Sequence, residues 1–314
     1  MALRPIIQFS LLYCLLAGVG SCLFAQDTHA TKEAPTAGTA YSTEESGAVT
    51  ARLAQRESDL RAELAHQPES ADLLYALALV LQQEGKARES LDTYTRAAGS
   101  RNPSPEELRS VALNYVLLND FEDAIHWLEV ASRMAPRDAD ILYALGRCYY
   151  SKDRFIDAGK MYERVLAIQP QHLKAEENLG LVFDATNRLD LAEDAFRKAA
   201  GWANKNGTDE WPFLDLGSFL LDQGRPKEAI DPLRDAARIR PECAACHEKL
   251  GRALLATPDS PGALAELEQA TKLDPKNPKI HYELGRALRQ AGQAERAQQE
   301  LSLSQKLYSA HSQE

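Results

Sequence analysis

The sequence predicts an all-α protein made of stacked helical hairpins, and three observations predict it. A small residue recurs at a step of 34 residues: Ala78, Ala112, Gly146 and Gly180, then, after three extra residues, Gly217, Gly251 and Gly285. Around each small residue the apolar positions follow a helical period. Leu142, Leu145, Gly146 and Tyr149, for example, occupy i, i+3, i+4 and i+7 on one face. The turn position inside each hairpin holds Gly85, Asn119, Asp153, Asn187, Gly224, Pro258 and Gly292. Six of these seven are residue types that best tolerate a left-handed backbone, and nothing in the apolar pattern forces that agreement.

The chain opens on a segment of different character. Among the first 25 residues Arg4 carries the only charge, and the run from Ile6 to Val19 is almost wholly apolar. A basic start, an apolar core and a small-residue exit read as a secretory signal peptide over residues 1–25. The run is too short to span a membrane comfortably as a helix. Two exits are open. One is cleavage after Ala25, which polar sequence follows directly. The other is lipidation at Cys22, because Val19-Gly20-Ser21-Cys22 resembles the lipobox of bacterial lipoproteins. A retained membrane anchor is the third reading. Residues 26–49, rich in Thr, Ala, Ser, Gly and Glu without an apolar period, are expected to form a disordered leader. Over residues 50–70, Leu53, Leu60 and Leu64 fall on one helical stripe that Pro68 ends, which marks a single capping helix.

Seven hairpins are then expected over residues 71–311, near 71–104, 105–138, 139–172, 173–206, 210–243, 244–277 and 278–311. In the third, Ala158, Tyr162 and Val165 follow on a second helix and Pro170 closes the unit. The fourth reads Leu179, Gly180, Phe183, Ala192, Phe196 and Ala199, and the sixth Leu250, Gly251, Ala263, Leu267, Ala270 and Pro275. The seventh lacks the closing proline. This order of apolar residue, Leu, Gly and aromatic, then Ala, aromatic, Ala and Pro resembles the tetratricopeptide-repeat family. The resemblance implies a right-handed α-solenoid whose first helices line a concave groove. It implies as groove-facing residues Arg109, Tyr143, Arg147, Tyr150, Arg252, Tyr282, Arg286 and Arg289, with Tyr75 and Glu177 at equivalent positions. Tyr and Arg are the residues most enriched at binding hot spots, so the expected partner is a protein or peptide. Several Arg in an acidic chain point to an acidic segment or a carboxylate. The Lys/Asn arrangement of the carboxylate-clamp members is not reproduced.

A formal net charge of -10 argues against nucleic acid as a partner, because neutralising phosphates needs a basic surface. It argues equally against a membrane partner unless Cys22 is lipidated or the signal is retained. The sequence contains no HExxH, no Gly-rich phosphate loop and no GxSxG elbow. Carboxylate pairs such as Glu106-Glu107 and Glu176-Glu177 fall near helix starts, where acids favour the dipole. No catalytic residue, metal ligand or cofactor is therefore expected. The predicted protein is an exported scaffold, periplasmic or secreted, that binds a partner in envelope assembly or secretion and is not an enzyme.

The alternative function rests on Cys243-Ala244-Ala245-Cys246-His247, a CxxCH string of the kind that attaches c-type haem. Against it, His247 occupies the repeat position that Leu142 and His281 fill, and both cysteines fall in the turn after Pro241. A disulfide between them, or two free thiols, are the competing readings. Asn206-Gly207-Thr208 is a glycosylation sequon inside an enlarged connection expected from Trp202 to Pro212.

Overall fold

The computed structural model describes residues 43–207, 209–257 and 260–311. The signal segment, its processing positions at Cys22 and Ala25, and residues 26–42 lie outside these, as does the turn residue Pro258. All regular structure among the described residues is helical. Helix α1 runs from Thr43 to His66. Seven hairpins follow: α2 (Ala71–Gln83) with α3 (Ala87–Ala98), α4 (Pro105–Leu117) with α5 (Phe121–Met134), α6 (Ala139–Ser151) with α7 (Phe155–Ile168), and α8 (Leu173–Ala185) with α9 (Leu189–Asn206). After these come α10 (Trp211–Asp222) with α11 (Pro226–Ile239), α12 (Ala244–Leu255) with α13 (Ser260–Leu273), and α14 (Pro278–Gln290) with α15 (Ala294–His311). Helices α1 to α7 form one compact unit, which ends at Pro170, and α8 to α15 form a second, which begins at Gln171.

Each hairpin closes where the small residue of its first helix meets the residue sixteen positions on. A Cβ built on Gly146 would lie 2.7 Å from Cε1 of Tyr162, and one on Gly180 would lie 2.8 Å from the ring of Phe196. Leu233, Leu267 and Leu301 stand in the same place over Gly217, Gly251 and Gly285. In the first two hairpins Ala78 and Ala112 hold the position and are completely buried. Tyr162 and Phe196 are among the largest fully buried side chains of the chain. The space that the glycine leaves is what those rings fill.

The turns behave as their residue types predict. Gly85, Asn119, Asp153, Asn187, Gly224 and Gly292 all have positive φ, between 56° and 76°. The following amide reaches back to a carbonyl of the first helix in each case: Lys86 to Leu81 at 2.9 Å, Asp120 to Tyr115 at 2.8 Å, and likewise from Arg154, Arg188, Arg225 and Gln293. This bond satisfies an orphan carbonyl at the helix end and reverses the chain, which is why a residue content in the left-handed region must sit there. Five of the first helices, α4, α6, α8, α12 and α14, are also capped at their starts by a side chain. Ser104 and Glu107 form a reciprocal capping box, and Asp138 accepts from the amide of Ile141 at 3.0 Å. Glu107 therefore acts through specific hydrogen bonds and not only through the helix dipole.

Helix α1 caps the first hairpin by burying Leu60 and Leu64 against Leu74, Tyr75, Leu77 and Ala78, with Leu53 partly buried beside them. It begins at Thr43, inside the segment expected to be a disordered leader to residue 49. The expectation followed the apolar stripe, and the extension has none. Residues 47–50 are exposed on every side, because a helix can continue into water on its own backbone bonds once its later turns are anchored. A second correction concerns the connection expected from Trp202 to Pro212. Helix α9 runs through it to Asn206, 18 residues in all, and stops at Gly207 with φ 60°. The three extra residues become about one more helical turn, anchored by buried Ala199, Ala200 and Ala203.

Between the first two hairpins lies a buried polar chain. Ser90 Oγ donates to the carbonyl of Ala78 at 2.6 Å, and Asn114 Nδ2 donates to Ser90 Oγ at 2.9 Å and to the carbonyl of Ser110 at 3.0 Å. Ser90 and Asn114 are both completely buried.

Replacing Gly180 by Leu should cost on the order of 1–3 kcal/mol or more, because the side chain would have to occupy the place of the Phe196 ring. Repeats contact mainly their neighbours, so lost amide protection should concentrate in α8 to α11. Denaturant titration with hydrogen exchange reads both; unchanged stability, or a loss spread evenly over the second unit, would mean that the crossing is not the closing contact.

Candidate functional site

Within each unit the first helices touch one another, α2 with α4 and α4 with α6, then α10 with α12 and α12 with α14. The second helices make no contact of comparable extent among themselves. The first helices therefore form the closer-packed layer. On α6 and α14 the positions three residues before, one after and four after the small residue reach solvent, whereas Tyr75, Glu177, Leu214 and Glu248, each three before, are buried.

On α6 these positions are Tyr143, Arg147 and Tyr150, all partly exposed. Spacings of four and three place them on one side of the helix. Their rings are held from behind by α7: Tyr143 packs at 5.9 Å from Tyr162, and Tyr150 meets Phe155 edge-on at 5.3 Å. The Tyr162 hydroxyl is buried beneath this face without a hydrogen-bond partner. Burial pushes its phenol well above the usual tyrosine range; Tyr143 adds to the rise and the Arg147 charge opposes it. On α4, Arg109 takes the position equivalent to Tyr143 and is partly exposed.

Tyr75, also expected on this face, is a correction. It is 4% exposed, its hydroxyl donates to the carbonyl of Arg101 at 2.7 Å, and the Arg101 guanidinium lies 4.3 Å over its ring. Helix α1 and the turn after α3 leave it no free surface.

On the second unit Tyr282, Arg286 and Arg289 are exposed and Arg252 is partly exposed. The expected cationic row is nevertheless largely neutralised. Arg252 lies between Glu248 at 3.6 Å and Glu283 at 3.7 Å, Arg286 pairs with Glu283 at 2.8 Å, and Lys279 approaches Glu248 at 3.5 Å. Glu248 and Glu283 are buried between neighbouring first helices, where an unpaired carboxylate would be costly. The sequence reading passed over both residues. Their signal was an acid four or three places before an Arg on the same helix, while the pairs with a base on the adjacent repeat, Glu248 with Lys279 and Glu283 with Arg252, need the neighbouring helix in place to be seen.

Nearer the start of this unit an acid meets an acid. Glu177 of α8 is buried and shares a hydrogen bond with Asp215 of α10. Burial holds its carboxyl well above the usual range, and the charges of Asp215 and then Asp209 raise it further.

The CxxCH string is organised differently from a haem site. Cys243 and Cys246 are bonded to each other. Both ring nitrogens of His247 face oxygens: Nδ1 meets Glu266 at 2.6 Å, and Nε2 meets the carbonyl of Pro241 at 2.9 Å. A nitrogen that must donate to a carbonyl has no lone pair for iron. His281 makes the same two contacts, to Glu300 at 2.6 Å and Pro275 at 2.9 Å, without any cysteine nearby. The residues do not fit the cofactor. Among the described residues, no three His, Cys, Asp or Glu are placed to hold a metal ion, and no helix is long and apolar enough to cross a membrane.

Hairpins of this length, crossing at a small residue and turning through a left-handed one, define a class of α-helical repeat protein. The chain carries tetratricopeptide repeats: family models of that description match residues 115–175 and 259–307, and residues 153–207. The BBSome complex member BBS4 of Bos taurus is 26% identical over 168 residues, which are 54% of this chain and 32% of that protein. The chain thus spans about a third of the length of that curated relative. A tetratricopeptide-repeat protein from Parabacteroides merdae superposes with a TM-score of 0.58 at 18% identity, covering 78% of this chain and 96% of that one. PilF of Pseudomonas aeruginosa gives 0.58 at 18% identity, covering 68% and 96%. These likenesses show the fold.

Because the Glu177 carboxyl is raised in the fold, its contribution favours the folded state below the ordinary value near 4.5 and is lost as pH rises until Glu177 ionises in place. Glu177→Gln should remove that loss and raise the melting temperature on the alkaline side, by about 2–4 °C for each kcal/mol relieved. Melting curves of both proteins across neutral to alkaline pH test this. A variant that melts lower at every pH would show that Glu177, through its hydrogen bond with Asp215, stabilises the second unit more than Gln does.

Proposed function

We propose that the chain is a binding scaffold that holds a protein or peptide segment on the first-helix face of its hairpins and performs no catalysis on it. The observation that carries this reading is the Tyr143–Arg147–Tyr150 row on α6. Two rigid aromatic rings flank a guanidinium on one side of a helix, backed by packed rings from α7 and partly open to solvent. Such residues offer large area at small entropic cost, which is why they dominate binding energetics. Arg109 extends the row in the first unit. In the second unit Tyr282, Arg286 and Arg289 offer a further patch, with Arg252 engaged by its carboxylates. That balance favours a mixed or neutral partner segment there over a purely acidic one. No feature of the face favours nucleic acid, given the acidic charge of the chain.

The N-terminal 25 residues support export, and a paired Cys243 and Cys246 is in keeping with an oxidising compartment such as a periplasm. The family's use in envelope assembly and secretion makes those the processes of first interest. Sequencing the mature N-terminus from the native host is the direct check: Gln26 is the expected first residue. A lipid-modified Cys22 would make the chain a membrane-anchored lipoprotein, and an intact Met1 would remove the export reading.

Changing Tyr143 and Arg147 together to Ala should weaken a partner recovered by crosslinking from the native envelope at least about tenfold, since hot spots are worth about 2 kcal/mol or more each. Arg133→Ala with Lys160→Ala, both exposed on the second helices α5 and α7, is the control and should leave affinity unchanged. Titration calorimetry reads both. Loss of binding in the control pair alone would move the site to the opposite face.

A further inference from the structure

Helix α12 starts on a feature that a binding scaffold does not require. Cys243 is its N-cap residue, with Sγ 3.0 Å from the amide nitrogen of Cys246, and the two sulfurs are joined. Their access to solvent is unequal. Cys246 is completely buried, whereas Cys243 is partly exposed beside exposed Pro241, Glu242 and Ala245.

The next hairpin is an internal control for what the bond does. Asn277 caps α14 where Cys243 caps α12, and buried Ile280 replaces Cys246. The His281–Glu300–Pro275 contacts repeat those of His247, Glu266 and Pro241 within the same distances. The turn therefore folds without cysteines. A loop this short also removes little entropy from the unfolded chain, so stapling is a weak reason for the bond.

We infer that Cys243–Cys246 is an exchange-active disulfide that accepts electrons from a dithiol, with Cys243 as the sulfur attacked. A thiolate of the dithiol attacks Cys243 Sγ and the intramolecular bond breaks. Its electron pair leaves on Cys246 Sγ, which takes a proton from solvent. The second thiolate of the dithiol then attacks the mixed disulfide at its own sulfur, closing the dithiol's disulfide and releasing Cys243 as a thiolate, which is protonated in turn. Two electrons and two protons pass to the chain, and nothing else is consumed. The start of α12 and the Cys246 amide favour the negative charge that appears on Cys243. His247 takes no part in the proton transfers, since both its nitrogens are engaged. Cys148 does not compete, because it is buried and burial pushes its thiol up to about 12.

The test treats the oxidised full chain with dithiothreitol under native conditions, quenches with N-ethylmaleimide and maps the label by peptide mass. Label should appear on Cys243, the partly exposed sulfur, but not on buried Cys148, with the helical spectrum unchanged. In single variants, Cys243 in Cys246→Ser should form a mixed disulfide with glutathione disulfide at least about tenfold faster than Cys246 does in Cys243→Ser. The double variant Cys243→Asn with Cys246→Ile, copied from α14, should melt as the parent does. Reduction only in denaturant, Cys246 reacting as fast as Cys243, or a large fall in melting temperature of the double variant would each overturn the inference and leave the bond a structural staple.

Discussion

At Gly146 the backbone of α6 and the ring of Tyr162 stand closer than a β-carbon would allow, and the same approach recurs at Gly180, Gly217, Gly251 and Gly285. Two helices can come this near only if one contributes no side chain. The approach fixes where every other side chain of the hairpin points. With the small residue inward, the residue four before it lies in the seam, where Leu142, His247 and His281 are found. On α6 and α14 the residues three before, one after and four after it reach solvent, while on α2, α8, α10 and α12 the residue three before is buried. The proposed binding row of Tyr143, Arg147 and Tyr150 is therefore a geometric consequence of the crossing, and drift of the crossing would misdirect the row with it.

The parts of this arrangement that depend on one chain segment were readable from the residues. The 34-residue step, the seven hairpins and six left-handed turns each need only local rules, a helical period and a residue type that accepts positive φ. What depended on a neighbouring helix was not readable. Tyr75 has the right position for the open layer, yet α1 and the turn at Arg101 close over it. Arg252 and Arg286 read as free cations although Glu248 and Glu283 stand four and three places before them on their own helices; only the Arg252–Glu283 and Lys279–Glu248 pairs cross between helices, where no spacing in the sequence encodes them. Polar helix extensions were missed for a third reason. The first turns of α1 have no apolar stripe to detect, and they persist because the turns after them are anchored.

The two units present different chemistry on the same kind of layer. In the first, aromatic rings and Arg sit over an unpaired, buried phenol at Tyr162. In the second, carboxylates and bases are matched between α12 and α14, while Glu177 and Asp215 share a proton-favouring site between α8 and α10. Partly exposed ion pairs add little to stability, so the matched charges act mainly on which partner is tolerated. A segment laid on that layer must replace the internal partners of Arg252 and Arg286 or leave them in place, and either requirement rejects strongly charged competitors.

A chain of near-equivalent hairpins faces a difficulty that a unique fold does not, since any hairpin can dock, slightly out of step, on a neighbour it was not meant for. Apolar seams alone discriminate poorly between such registers. The Ser90–Asn114 bond discriminates between them, because it is the one member of the buried chain that crosses between the hairpins, Ser90–Ala78 lying within the first and Asn114–Ser110 within α4. Slipping α4 by a turn would break that one bond, at a cost of about 0.5–1.5 kcal/mol, and would leave the other two intact. During synthesis, when the first two hairpins emerge before the rest, that penalty acts as a check on alignment. It settles the first stacking step correctly and gives each later hairpin a properly indexed surface on which to add.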